Sequence, residues 1–314
     1  MTRLFLLSIF SLSLHFRNAM QTISKPQYFT TADSVKIMFV DKGDPSKTPI
    51  IFIQGSDGSS FEWQVFSKRL EKDYRLILSD RRGMGLSSRL LPSRKLTMVN
   101  YMQDIITLME KLNIKKCVLL GWSFGGSVAA EFALKYPDKV SSLILVCPLS
   151  DANQLWLDRA EAIYPIAVKN NDTAALATID KLKRGNSLTI DDEYSLVKVQ
   201  NVAIYNTTAV DSFYKYSDSK AYGYNDTTLG TDWENIIAQK NIYDNYSNLS
   251  RISKILCPTL IICGADDHII TQKQCYKIQA SIAKSKLEVI EKCGHMPFIE
   301  RPNVLEKALR DFVK

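Results

Sequence analysis

The chain has 314 residues, 46% of them hydrophobic and 23% charged, with 40 Lys+Arg against 33 Asp+Glu. That apolar fraction supports a packed core and excludes wholesale disorder, and a net charge of +7 without long basic runs gives no nucleic-acid footprint. Six Cys with no CxxC pair argue against a disulfide scaffold or a His/Cys zinc site, and three His leave few candidates for imidazole chemistry.

Residues 1–20 carry an apolar run from Leu4 to Leu14 broken only by Ser, too short to span a bilayer and shaped like a signal-peptide core. Translation from Met1 predicts an exported protein, periplasmic or secreted; translation from Met20 predicts a cytoplasmic one. No other stretch approaches spanning length, so no stable membrane insertion is expected.

Short strands are predicted at 28–31 and 35–40, followed by the continuous apolar run 49–53, which reads as a strand buried on both faces. A helix is expected at 61–72, a strand at 74–78, a glycine-rich loop at 81–88 and a helix at 99–112. Then come a strand at 116–120, a helix at 124–136 and a strand at 140–147. This alternation implies a parallel sheet with helices on both faces. It stops after the sixth strand, where helical stretches at 152–169 and 173–183 stand among Asn, Asp, Ser, Thr and Tyr. It resumes with a strand at 259–263, a helix at 271–283, a strand at 286–290 and a helix at 303–313. The division is therefore 21–148 for the first part of the core, 149–256 for a helical cap insert and 257–314 for the second part of the core. The insert is expected over the carboxyl edge of the strands, where open α/β sheets carry their sites.

Gly121-Trp122-Ser123-Phe124-Gly125 follows an apolar strand and precedes an Ala-rich helix. A serine on such a strand-to-helix turn is presented by a strained backbone, with the helix N-terminus beneath it to stabilise developing negative charge. A serine hydroxyl needs a base. His15 lies in the leader, which leaves His268 and His295, both just after apolar strands. A carboxylate to orient the base is available from Asp266 or Asp267.

Several further motifs stand in register with these: Gln54-Gly55-Ser56 after a strand, Asp80-Arg81-Arg82-Gly83-Met84-Gly85-Leu86-Ser87, Tyr136-Pro137-Asp138 after the serine helix, Gly264-Ala265-Asp266-Asp267 and Gly294-His295. Together they make the chain resemble the α/β-hydrolase superfamily from about residue 28 onward. The resemblance implies an α/β-hydrolase fold: a mostly parallel eight-stranded sheet, helices on both faces and a helical cap. It implies Ser123 as nucleophile, His295 as base and Asp267 as acid, in the chain order Ser…Asp…His. Asp267 rather than Asp266 matches the family spacing; members with the acid one strand earlier would point to Asp151. The oxyanion hole would use the backbone N–H groups of Phe124 and Ser56. Gln54 stands where relatives usually carry His, so the bonds supporting that loop must differ. No metal and no organic cofactor are implied.

The activity implied is a serine esterase or related acyl hydrolase acting on a small-molecule substrate. Residues 151–250 hold 9 Lys+Arg against 14 Asp+Glu, a net of −5, which leaves +12 for the remainder. The same stretch holds 9 of the 14 Tyr. An acidic, aromatic cap would suit a substrate with an amine and an apolar body, and the Asp80–Ser87 and serine motifs are similar to those of prolyl aminopeptidases. The first glycine loop, however, lacks the His-Gly-Gly-Pro-Gly sequence of those peptidases. A non-hydrolytic enzyme or a ligand-binding protein on the same fold stands as a further alternative. Substrate contacts are expected from Gln54, Trp122, Trp156, Glu193, Glu234 and His268. The cysteines on core strands are expected to pack as small apolar groups, with a Cys263–Cys293 link open to an exported chain. A monomer or homodimer is expected.

Overall fold

The computed structural model describes residues 25–56, 58–90, 95–203, 209, 210, 220, 223, 224, 242 and 246–313. The core is one eight-stranded sheet. Its strands are β1 (Gln27–Thr30), β2 (Lys36–Lys42), β3 (Pro49–Ile53), β4 (Arg75–Ser79), β5 (Cys117–Trp122), β6 (Val140–Val146), β7 (Thr259–Gly264) and β8 (Ser285–Ile290). Their spatial order is β1-β2-β4-β3-β5-β6-β7-β8, and every pairing from β4 to β8 is parallel. β2 is antiparallel to both of its neighbours, an arrangement the alternating hydrophobic pattern did not specify.

All six residues of β5 and all six of β7 are buried, as continuous apolar runs covered on both faces require. One face packs against α2 (Met98–Lys111), α3 (Phe124–Lys135) and α7 (Gln272–Ser281), through residues such as Ile105, Val128, Phe132 and Ile278. The other packs against α1 (Phe61–Ser67) and the C-terminal pair α8 (Pro297–Glu300) and α9 (Pro302–Phe312). There Trp63 and Phe298 stack at 4.1 Å between centroids. The first helix ends at Ser67 rather than near residue 72, and its continuation folds into turns in which Tyr74 N–H bonds Leu70 O.

Between β6 and β7 run α4 (Ala152–Lys169), α5 (Thr173–Lys183) and α6 (Ile190–Ala203). They share a small apolar cluster of their own, including Ile163, Ile179 and Leu196. The carboxylates of Asp151 and Asp172 cap α4 and α5 by accepting from Gln154 N and Ala175 N. α4 leans on the turn after β7: Arg159 Nε donates to Ile269 O at 3.0 Å, and Thr271 Oγ1 donates to buried Asp158 at 3.4 Å. Among the described residues no helix is long and apolar enough to cross a membrane.

The Asp80–Ser87 motif proves to be framework. Asp80 is fully buried and accepts from Ser60 N at 2.6 Å, Leu86 N at 2.7 Å and Tyr224 Oη at 2.9 Å. Burial pushes its carboxyl above the usual carboxylate range. Arg82, also buried, grips Asp104 through two nitrogens and reaches Asp33 at 2.8 Å. All six cysteines are free thiols in the structure, with Cys263 and Cys293 unlinked.

Candidate active site

Parallel strands present their carboxyl ends along one edge. Gln54 after β3, Ser123 after β5, Cys147 after β6, Asp267 after β7 and His295 after β8 gather there. Ser123 sits between β5 and α3 with φ +55° and ψ −122°. A left-handed φ is disfavoured for any residue with a Cβ and is held only where the surroundings over-determine it. Here the surroundings do so. Ser123 N donates to Val146 O at 2.9 Å, while Ser123 O accepts from Gly126 N at 2.9 Å and Leu149 N at 3.2 Å. The two flanking glycines are required by contact rather than by φ. A Cβ on Gly121 would collide with Gly125 O, and one on Gly125 with the carbonyl oxygens of Ile53 and Gln54.

The side chains of His295 and Asp267 are hydrogen-bonded, Nδ1 to Oδ2, at 2.8 Å, and both residues are buried. Oδ2 only accepts, so the imidazole proton on this side belongs to Nδ1. The other oxygen, Oδ1, accepts from Ile269 N at 2.8 Å and Ile270 N at 3.0 Å. Asp266 is exposed, and its backbone N–H is bonded to Cys293 O at 2.9 Å. Asp151 serves as the cap of α4. The His295 loop is braced on both sides by Glu300, whose carboxylate accepts from Gly294 N at 2.8 Å and Met296 N at 3.0 Å.

The turn after β3 lies against the serine. A Cβ on Gly55 would be 3.3 Å from Ser123 Cβ and 3.0 Å from the Trp122 ring. Arg81 holds this turn from behind: its Nη2 donates to Gly55 O and, at 2.7 Å, to Ser56 O. The guanidinium lies 5.1 Å from the Phe124 ring centre and 5.3 Å from that of Tyr101. Gln54 is completely buried, and among the described residues neither its Oε1 nor its Nε2 has a partner.

The remaining residues expected at the site divide. Trp122 gives its indole N–H to His295 O at 2.7 Å, and its ring stands 5.3 Å from the imidazole. His268 is half-buried beside Asp267. Trp156 is half-buried, covered by the Arg159 guanidinium at 4.8 Å, and packs into the α4–α6 cluster. Glu193 lies in the first turn of α6. Its neighbour Asp192 is engaged by Lys181 and accepts from Thr189 N at 2.7 Å. Glu234 lies outside the described residues. Arg81 and Glu300 were not anticipated. Glu300, five residues past the histidine in a short helix opened by Pro297, is the kind of carboxylate that gathers free amides, and that is the one signal the sequence offered.

Residues 48–302 match the model of a family described as alpha/beta hydrolase fold. The chain is 30% identical over 282 residues to a proline iminopeptidase of Lactobacillus crispatus (strain ST1), covering 85% of this chain and 90% of that one. It is 24% identical to a putative 2-succinyl-6-hydroxy-2,4-cyclohexadiene-1-carboxylate synthase of Bacillus subtilis (strain 168), covering 90% and 97%. Among solved structures, the esterase RhEst1 from Rhodococcus sp. ECU1013 superposes with a TM-score of 0.69 at 19% identity, over 92% of this chain and 98% of that one.

Proposed function

The chain belongs to the alpha/beta hydrolase fold family, and on that premise we propose that it is a serine hydrolase cleaving a small ester or related acyl substrate through an acyl-enzyme on Ser123. The observation that carries this reading is the buried 2.8 Å bond between Asp267 and His295, at the same strand edge as left-handed Ser123. His295 takes the Ser123 proton as the hydroxyl attacks the substrate carbonyl. Asp267 keeps the imidazole proton on Nδ1 and stabilises the imidazolium that forms. The oxyanion rests on the backbone N–H groups of Phe124, at the start of α3, and Ser56, with Arg81 holding the Ser56 turn by its carbonyl oxygens. His295 then protonates the leaving group and activates water to release the acyl group. The segment between β6 and β7 acts as the cap that selects the substrate.

A prolyl aminopeptidase-like activity is the second reading. It is favoured by the net −5 charge of residues 151–250 and by the similarity to a protein named as a proline iminopeptidase. A fluorophosphonate probe tests the chemistry: Ser123-dependent labelling, lost in Ser123→Ala, is expected, and its absence overturns the proposal. A panel of p-nitrophenyl esters of rising chain length beside proline and alanine arylamides separates the two activities, with ester turnover expected to dominate.

A further inference from the structure

Three potential metal ligands converge where β6, β7 and β8 end. Cys147 Sγ, a carboxylate oxygen of Asp267 and a ring nitrogen of His295 lie within 4.8 Å of one another, and all three residues are buried. They stand far apart in the sequence, so no Cys/His spacing announces them; the parallel sheet brings them together. Cys147 is the residue directly after β6. Its amide donates to Ile262 O at 2.7 Å, and its φ is +44°, a left-handed conformation that glycine would adopt with less strain. The acyl-transfer chemistry has no use for its thiol, yet the thiol faces the two residues on which that chemistry depends.

We infer that Cys147, Asp267 and His295 form an inhibitory site for a divalent cation of the zinc class, bound through Sγ, Oδ2 and Nδ1. One thiolate, one carboxylate and one imidazole are the ligand types zinc takes, and three protein ligands leave a fourth position open. Bonds of about 2.0–2.3 Å to a tetrahedral ion put ligand atoms roughly 3.3–3.8 Å apart, so the ion takes the place of the Nδ1–Oδ2 hydrogen bond: that pair opens from 2.8 Å while the thiol, within 4.8 Å of both, draws in. The carboxylate is ready for this: Oδ1 is already held by the amides of Ile269 and Ile270, which orient Oδ2 from behind. Binding releases the thiol proton to solvent and moves the imidazole proton from Nδ1 to Nε2, with no change of oxidation state. The inhibitory consequence rests on the acyl-transfer reading. An imidazole protonated on Nε2 cannot accept the Ser123 proton, and Asp267 is no longer free to stabilise an imidazolium.

The test uses the full-length protein and two readouts. In the first, Co2+ is titrated in, and its visible bands and thiolate charge-transfer band report geometry and a sulfur ligand; Zn2+ is then added as competitor. In the second, fluorophosphonate labelling of Ser123 is followed with and without Zn2+. A one-to-one Co2+ spectrum with a sulfur band, displaced by Zn2+, is expected, together with labelling slowed at least about 10-fold by saturating Zn2+. Cys147→Gly, which suits the left-handed backbone, and Cys147→Ala should each lose the sulfur band, bind Zn2+ at least about 10-fold more weakly and keep their labelling in its presence. Cys257→Ala, at a half-buried thiol near the opposite end of β7, should behave as the parent. Absence of a sulfur band, or Zn2+ inhibition that persists in both Cys147 variants, overturns the site. A Cys147-dependent sulfur band with no labelling under any condition upholds the ion site and instead overturns the hydrolase reading.

Discussion

The indole N–H of Trp122 donates to the carbonyl oxygen of His295 at 2.7 Å, joining the residue before the left-handed serine to the backbone that carries the imidazole. The bond is buried, and it fixes the His295 loop against the end of β5. Trp122→Phe keeps the ring but leaves that carbonyl without its donor, at a cost of about 1–3 kcal/mol. If His295 is the base, as proposed, turnover of a p-nitrophenyl ester should fall roughly 10-fold with KM little changed, since displacing it costs transition-state rather than substrate affinity. A KM change with kcat intact would show that Trp122 acts on substrate instead.

On the proposed acyl-transfer reading, Arg81 is a positioning residue for the turn that would carry the Ser56 oxyanion donor. Its Nη2 bonds Gly55 O and Ser56 O, which fixes the direction of the neighbouring N–H. Arg81→Met should lower kcat by up to about 10²-fold, approaching the loss of one oxyanion donor, while KM shifts far less. Arg81→Lys should recover part of the loss because one ammonium can still reach a carbonyl. Equal losses in both variants, explained by a drop in folded fraction, would reduce Arg81 to a structural role.

The strain at Ser123 gives an expectation about stability alone. At φ +55° a Cβ costs on the order of 1–3 kcal/mol, while glycine loses roughly 0.5–1 kcal/mol through its freer unfolded chain. Ser123→Gly should therefore be more stable than Ser123→Ala by about 1 kcal/mol, with both inactive. Urea melts of the two variants measure this, and the reverse order would mean that the left-handed turn carries no strain.

Lys42 supplies a pH dependence. Its ammonium is buried at the end of β2, donating to Ser67 Oγ at 3.1 Å, and burial pulls its pKa from 10.5 down to about 8. Between those two values the unfolded chain holds a proton that the folded chain has lost, so stability rises with pH across that window. Below pH 8 the folded state carries a buried charge at a cost on the order of 3 kcal/mol. Lys42→Met should be more stable than the parent at pH 7 and show no such rise. Melts at pH 7, 8.5 and 10 check both statements.

Continuous apolar runs announce the buried strands, apolar spacings of three and four announce α2, and α4 and α5 read as helical stretches close to their observed bounds. What escaped was set by partners distant in the chain. The antiparallel seating of β2 depends on β4, and α6 is too polar on its own to show a helical stripe. The serine turn was legible because glycine, serine and glycine must follow one another on it. The Asp80–Ser87 motif was equally visible, but that Asp80 binds Tyr224 and Arg82 binds Asp33 follows only from the packed sheet. Gln54 stands out in the sequence for replacing a histidine; that its amide is buried without partners among the described residues follows only from the packed fold.

The strand order has a consequence for when the site exists. Trp122 and His295 are 173 residues apart in sequence, and Asp267 and His295 follow the last two strands at one end of the sheet. Pairings of such separation are intrinsically slow to form, because the loop-closure entropy of the intervening chain must be overcome first. A partly folded chain can therefore carry a complete serine turn with no base beside it. On the proposed assignment, reactivity of Ser123 would report finished folding: it should appear only after β7 and β8 have docked, and a half-assembled sheet would have no stray hydrolytic activity.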